Sequence, residues 1–314
     1  MPNLSLLSTT TSSPPRVFQA FRLLALALLL LCSVTLTSQA QDKAAEYQIL
    51  QVKDNIYRFT AGNYHSVFMV TDNGIFVTDP INPEAARYLK QELQARFQQP
   101  IRYMAYSHNH VDHAAGGHLL AEPNTTIIAQ RYADEDMRWT NLPTALPDVT
   151  FKDEMTITLG ESSVHLKHYG PNNGRGSVSM RFMPANVLYV VDWIVLNRMP
   201  YKDLQGYDIH GMIRSTREVL NEPAFDIFVG GHAAMGKRQD VERYLAYLEA
   251  LYKAVKTGML AGKSLPELQA QIQLPAFADL PMYKEWLPLN IAGVHRTLLD
   301  RSYFNLRKDI PGQR

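Results

Sequence analysis

The chain has 314 residues, 46% hydrophobic and 19% charged, with a formal net charge of +1. That length buries a full core in one large domain or two small ones. A balance so close to neutral leaves no basic footprint for nucleic acid and no acidic tail, so the expected partner is a small molecule or another protein surface, a second copy of the chain included.

Residues 1–40 differ in kind from the rest. Arg16 and Arg22 precede an apolar run from Leu23 to Val34, followed by the small-residue pattern Ser38-Gln39-Ala40. That order reads as a secretory signal peptide cleaved after Ala40. The run falls short of the ~20 apolar residues that span a bilayer. With no twin arginine, the expectation is export unfolded, metal loading outside the cytoplasm, a periplasmic or secreted product and no membrane attachment after cleavage. Cys32, the only cysteine, lies inside this segment, so the mature chain has neither disulfide nor thiolate ligand.

From Tyr47 to Asp79 the sequence alternates like β structure. Asn55 to Phe59, Ser66 to Thr71 and Ile75 to Thr78 are strand-like, with a turn at Asp72-Asn73-Gly74. Over Pro83 to Gln98 the period becomes helical, with Ala86, Leu89, Leu93 and Phe97 on one face. Ile101 to Tyr106 is the next strand, and Thr125 to Ala129 a further one. After a proline-rich loop come Met155 to Leu159, Ser163 to Tyr169, Ser177 to Met183 and Val187 to Ile194, read as consecutive hairpin strands. The last third is mainly helical. Its longest apolar stripe runs from Val241 to Val255 behind Asp240 as N-cap, Gly262 ends it, and Ser264 with Glu267 forms a capping box. Tyr283, Trp286 and His295, further on, are read as plain core in preference to a cover over a groove or a dimer contact. No repeat or linker follows Ala40, so residues 41–314 are expected to form one layered domain whose helical part begins near 240.

The chemistry gathers at residues 107–113, SHNHVDH, where the strand ending at Tyr106 gives way to a loop. Imidazole and carboxylate are the donors that zinc takes when cysteine is absent; iron and manganese remain open. His108 and His110, two apart in an extended loop, can face one ion, while Asp112 and His113 can face another. His118, just beyond Gly116-Gly117, reads as an ordinary helix residue.

The constellation resembles the metallo-β-lactamase superfamily, whose signature is H-x-H-x-D-H at a strand end. Other landmarks follow in order: GIFVTD, ending at Asp79, is similar to the strand with a supporting aspartate; LYVVD, ending at Asp192, to the strand with a metal-bridging aspartate; VGGH, ending at His232, to the strand before the last histidine ligand. The resemblance implies an α/β fold, an αββα sandwich of two mixed sheets flanked by helices, with metals in the groove between the sheets. Asp112, His113, Asp192 and His232 then complete a tight site, and His108, His110 and the shared Asp192 a second. Asn173 stands where the family commonly has a histidine, and an amide oxygen is a weaker donor, so partial occupancy is expected there. His168, and His65 in the loop GNYHS, are the residues that could complete it.

The same resemblance implies a metal-dependent hydrolase that turns a metal-bound hydroxide on a small ester, lactone, thioester or amide-type substrate. Asp112 and Asp192 orient the hydroxide, and Asp79 braces the histidine loop. A class B-type β-lactamase is the alternative, disfavoured because many of these carry cysteine or serine where this chain has Asp192. A decayed, non-catalytic binding module is the third reading, motivated by Asn173.

Overall fold

A computed structural model of the chain describes residues 47–302. The signal-peptide expectation therefore lies outside the described residues.

Seven strands form the first sheet, in sequence order: β1 (Tyr47–Lys53), β2 (Ile56–Ala61), β3 (Tyr64–Thr71), β4 (Gly74–Thr78), β5 (Ile101–Ala105), β6 (Thr126–Gln130) and β7 (Val149–Phe151). The first four meander antiparallel; the connection from β4 to β5 is the helix α1 (Pro83–Phe97), and from there the pairing is parallel. A parallel neighbour requires such a crossover. Helix α1 begins where Asn82 accepts a hydrogen bond from the Ala85 amide, and Pro83 sits at its first position, where the missing N–H costs nothing.

The second sheet has the order β12 (Ile227–Gly230), β11 (Val187–Val190), β10 (Val178–Met183), β9 (Ser162–His168) and β8 (Glu154–Leu159). Only β11 and β12 are parallel. Both strands are covered on two faces, which explains their unbroken apolar runs.

Strand alternation sorts the core into three apolar layers. Val67 and Met69 on β3, Phe76 on β4 and Val187 and Tyr189 on β11 face the space between the sheets. Phe68, Ile75 and Val77, one residue out of phase, pack outward with Leu89 and Leu93 of α1. Leu188, Val190 and Phe228 pack outward from the second sheet onto α5 (Ile209–Asn221), α6 (Arg238–Leu260) and α8 (Tyr283–Ser302), through Met212, Leu248 and Val294. Helix, sheet, sheet and helix make the expected αββα sandwich, its C-terminal helices being one of the outer layers.

Short α2 (Val111–Ala114), α3 (Gly117–Leu120) and α4 (Arg131–Trp139) follow β5 and β6, and α7 (Leu265–Gln271) lies between α6 and α8. Several local expectations shift. Helix α6 starts at Arg238 on Lys237, and Asp240 is its third residue, reaching back to the Lys237 amide at 2.8 Å. His65 lies within β3 and not in a loop. The expected strand from Val187 to Ile194 stops at Val190, for a reason that belongs to the site.

Candidate metal centre

The parallel pairs β4–β5 and β11–β12 end at the same edge of the sandwich, and every signature residue lies just past a carboxyl end there. This is where α/β layers leave backbone free to carry chemistry. After β5 the chain turns into His108 and His110, then α2 presents Asp112 and His113. The Ile81 amide donates to the His113 carbonyl at 2.8 Å, tying the histidine loop to the segment after β4. Gly116 allows the loop to close: its φ is +88°, and a Cβ would sit 2.9 Å from Pro83 at the start of α1.

Asp192 follows β11 in the left-handed region, at φ +67°. That conformation is costly for a non-glycine residue and ends the strand, but it turns the carboxylate back into the groove. His232 follows β12 through Gly231, where a Cβ would meet Val191 at 2.6 Å and the His113 ring at 3.0 Å. Only glycine lets these two loops meet.

The donors converge in two groups, His108 with His110 and Asp192, and Asp112 with His113 and His232. Asp192 Oδ2 lies 3.1 Å from His108 Nε2 and 3.3 Å from His110 Nδ1. Its Oδ1 lies 3.0 Å from His232 Nε2 and 3.6 Å from His113 Nε2, so one carboxylate faces both groups. Asp112 Oδ2 is 3.6 Å from His232 Nε2. The Nε2 atoms of His113 and His232 point at each other across 2.8 Å. His108 Nε2 and Asp192 Oδ1 are buried without a hydrogen-bond partner in the protein. Buried orphans of this kind, ringed by imidazole and carboxylate, fit a divalent cation.

The electrostatics agree. Burial pushes the His113 imidazole well below its usual range, keeping it a neutral donor. Burial would raise the Asp192 carboxyl, yet the charge of His108 and the close approach of the His108, His110 and His232 imidazoles hold it well below the ordinary carboxylate range. It stays ionised where it faces both donor groups. Asp79, fully buried at the end of β4, accepts from the Ser107 amide at 2.7 Å and from the Tyr189 hydroxyl at 2.8 Å, and its burial raises its pKa. It thus anchors the backbone one residue before His108.

Asn173 is fully buried in the same centre, but it meets Asp192 with its nitrogen: Nδ2 donates to Oδ2 at 2.7 Å. Turned over, two acceptor oxygens would face each other. Its Oδ1 is buried without a hydrogen-bond partner in the protein. Asn173 therefore positions Asp192 through its nitrogen. His65 and His168 lie outside both groups. His65 Nδ1 is 3.0 Å from Thr60 Oγ1, and burial lowers its pKa to about 4; His168 Nε2 donates to the Arg175 carbonyl at 2.8 Å. His118 is exposed on α3.

A cavity of about 650 Å³ opens over the donors His110, Asp112, Asp192 and His232. Tyr64, at the start of β3, stands edge-on to the His232 ring at 5.0 Å and forms one wall. Arg198, Tyr201, Tyr207 and Trp286 form another. Trp286, expected to be core, is thus a wall residue, whereas Tyr283 is 9% exposed and packs as expected. The sequence reading missed Arg198, Tyr201 and Tyr207, which lie in the irregular segment between β11 and α5; three unpatterned polar and aromatic residues in a long loop were the available signal.

Comparison with known proteins places the geometry. The family model described as "Metallo-beta-lactamase superfamily" matches residues 60–232. The alpha subunit of 2,4-dinitroanisole O-demethylase from Nocardioides sp. (strain JS1661) is 24% identical over 236 residues, 74% of this chain and 69% of that one. The type 2 metallo-β-lactamase of Elizabethkingia meningoseptica is 23% identical over 171 residues, 52% of this chain and 68% of that one. Among solved structures, the inverting sec-alkylsulfatase from Pseudomonas sp. superposes with a TM-score of 0.65 at 17% identity, over 84% of this chain but 52% of its own. A metallo-β-lactamase from Pontibacter korlensis gives 0.59 at 15% identity, over 65% of this chain and 99% of its own.

Proposed function

Because the chain belongs to the metallo-β-lactamase superfamily, we propose that it is a zinc-dependent hydrolase of a small ester, lactone, thioester or amide-type substrate, exported by its N-terminal segment. The observation that carries this reading is the convergence of four histidines and two aspartates, with buried unpartnered donor atoms, at the floor of an open cavity. Bound there, divalent ions would supply an activated water and polarise the scissile group.

The protein's own part is positioning and proton handling. Asp192 stays ionised and holds the two donor groups in register. Asp112, with its side chain 40% exposed toward the cavity, is the carboxylate able to orient a water and accept its proton at Oδ2. Asp79 holds the histidine loop through Ser107, the support on which ligand geometry depends. Asn173, as a donor to Asp192, leaves the His108–His110 group one ligand short, which supports unequal occupancy of the two sites.

The relatives' names cover a lactamase, a sulfatase and an ether demethylase, so shared fold does not choose the bond. The second reading, a β-lactamase, is favoured by the Elizabethkingia relative and opposed by Asp192. The test is turnover of zinc-loaded protein on a panel of carboxylic esters, lactones, thioesters, a penicillin, a cephalosporin and a carbapenem. Cleavage of an ester, lactone or thioester that disappears in Asp112→Ala and His113→Ala supports the proposal. Cleavage of the lactams alone would replace it with the second reading, and activity retained in either variant would refute the assignment of the centre.

A further inference from the structure

A second cavity, of about 690 Å³, lies on the outer helical layer between α5 and α6 and shares no lining residue with the metal groove. The two helices run antiparallel there: Arg217 pairs with Glu249 at 2.7 Å, while His210, two turns earlier on α5, meets Tyr252 with ring centroids 5.1 Å apart. The lining residues recur at helical spacing on each side, so two facing stripes form the cleft. Their charge is uneven. Around the His210 end stand Arg214, Lys253 and Lys256, and among the described residues none of the three has a carboxylate partner. Other cations of α6 do find acids, Arg238 with Glu242 at 3.0 Å and Arg243 with Asp279 at 2.6 Å. At the opposite end Glu218 stands beside the Arg217–Glu249 pair, without a cation of its own among the described residues.

Arg214 is fixed before any ligand arrives. Its Nε donates to the Tyr169 carbonyl at 3.3 Å and its Nη2 to the Pro171 carbonyl at 2.8 Å. Gly170 between them, at φ +82°, permits the approach, since a Cβ there would sit 2.9 Å from Nη2. A guanidinium has five N–H donors, so others remain for the cavity. Lys256 is placed as well, its ammonium lying 5.2 Å from the centre of the Tyr252 ring. Unpaired cations so grouped, one of them a rigid fork, suit an anion with more than one charge and several acceptor oxygens, as a phosphoryl group has. The cavity is larger than phosphate alone would fill. Ile213 and Tyr252 offer the rest of the ligand an apolar contact, and Glu218 offers an acceptor for a hydroxyl.

We infer that the cleft between α5 and α6 is a binding site for a phosphomonoester with a hydroxyl-bearing body, its phosphoryl group held by Arg214, Lys253 and Lys256 and its body extending past Ile213 and Tyr252 toward Glu218. The site is separate from the metal groove, and its ligand is independent of the reaction carried out there.

Calorimetric titration of the full chain with glucose 6-phosphate, inorganic phosphate and glucose tests it, in zinc-loaded and metal-stripped protein. Glucose 6-phosphate binds in both states, inorganic phosphate binds about threefold more weakly, and glucose does not bind. The double variant Lys253→Gln, Lys256→Gln weakens glucose 6-phosphate by about fivefold or more and leaves Tm and zinc content unchanged. The lysines are the residues to change because Arg214 also holds the backbone that leads to Asn173. The inference is overturned if the wild type does not bind glucose 6-phosphate, if inorganic phosphate or glucose binds as tightly, or if the double variant binds it unchanged. Binding that vanishes on metal stripping would also overturn it, since the ion would then be the receptor. Binding to phosphatidate vesicles without binding of the soluble sugar phosphate would overturn it in favour of a membrane contact.

Discussion

The Tyr189 hydroxyl joins three parts of the centre. It lies between the sheets with no exposure, 2.8 Å from Asp79 Oδ2 and 2.9 Å from the His65 carbonyl. Asp79 in turn holds Ser107, and the His65 amide donates to the Gly231 carbonyl beside His232 at 2.8 Å. Tyr189→Phe keeps the ring and opens no cavity, so its effect falls on the one hydroxyl proton that Asp79 and the His65 carbonyl share in a dry interior. Losing one hydrogen bond to a charged group costs about 1.5–3 kcal/mol. That loss corresponds at about 2–4 °C per kcal/mol to a fall in Tm of about 3–12 °C for a domain of this size. Differential scanning calorimetry of metal-stripped protein reads it without the contribution of bound ions. Zinc affinity should fall as well, because the brace behind His108 loosens. A Tm within 2 °C of wild type would refute the reasoning, since a hydroxyl so placed cannot be removed at ~0.5 kcal/mol if its proton serves either buried acceptor.

Asn173→His should raise the zinc retained at limiting supply, measured by elemental analysis, because an imidazole there replaces a donor to Asp192 with a ligand for the His108–His110 group; unchanged stoichiometry would contradict the account of unequal sites. Gly231→Ala forces a Cβ to within 2.6 Å of Val191, so it should lower both Tm and zinc affinity, by about 1–3 kcal/mol in stability. His65 ties pH to folding: its pKa is about 4 in the folded state against 6.5 when unperturbed. Between those values the unfolded chain binds the extra proton, so stability falls as pH drops from about 6.5 to 4. His65→Gln should flatten that part of the Tm–pH curve, and an unaltered slope would remove His65 as its source.

The donor set was legible because it is local or ends apolar runs. His108, His110, Asp112 and His113 lie within six positions, and Asp79, Asp192 and His232 each close a short stretch that is buried on both faces. Such stretches mark central strands, and the polar residue after one lies at the sheet edge. What was not legible depends on backbone turns and on distant packing. The left-handed turn at Asp192 has no sequence signature, so the strand was extended to Ile194. The direction of the Asn173 amide depends on Asp192, nineteen residues away. Helix α5 did carry a signal, with Ile209, Met212, Ile213, Thr216, Val219 and Leu220 at helical spacing. Trp286 looked like a core residue because helical spacing reports only that a face is buried, and a cavity wall is buried by the same helix faces that make the core.

The measurement that tests the central claim most directly is the zinc content of purified protein, by elemental analysis after equilibration with limiting and then excess zinc, for the wild type and His113→Ala. The account predicts close to one ion per wild-type chain under limiting zinc, a second only in excess, and loss of the first in His113→Ala. A folded wild-type protein that retains no zinc, or one whose tightly held ion survives His113→Ala, would contradict it.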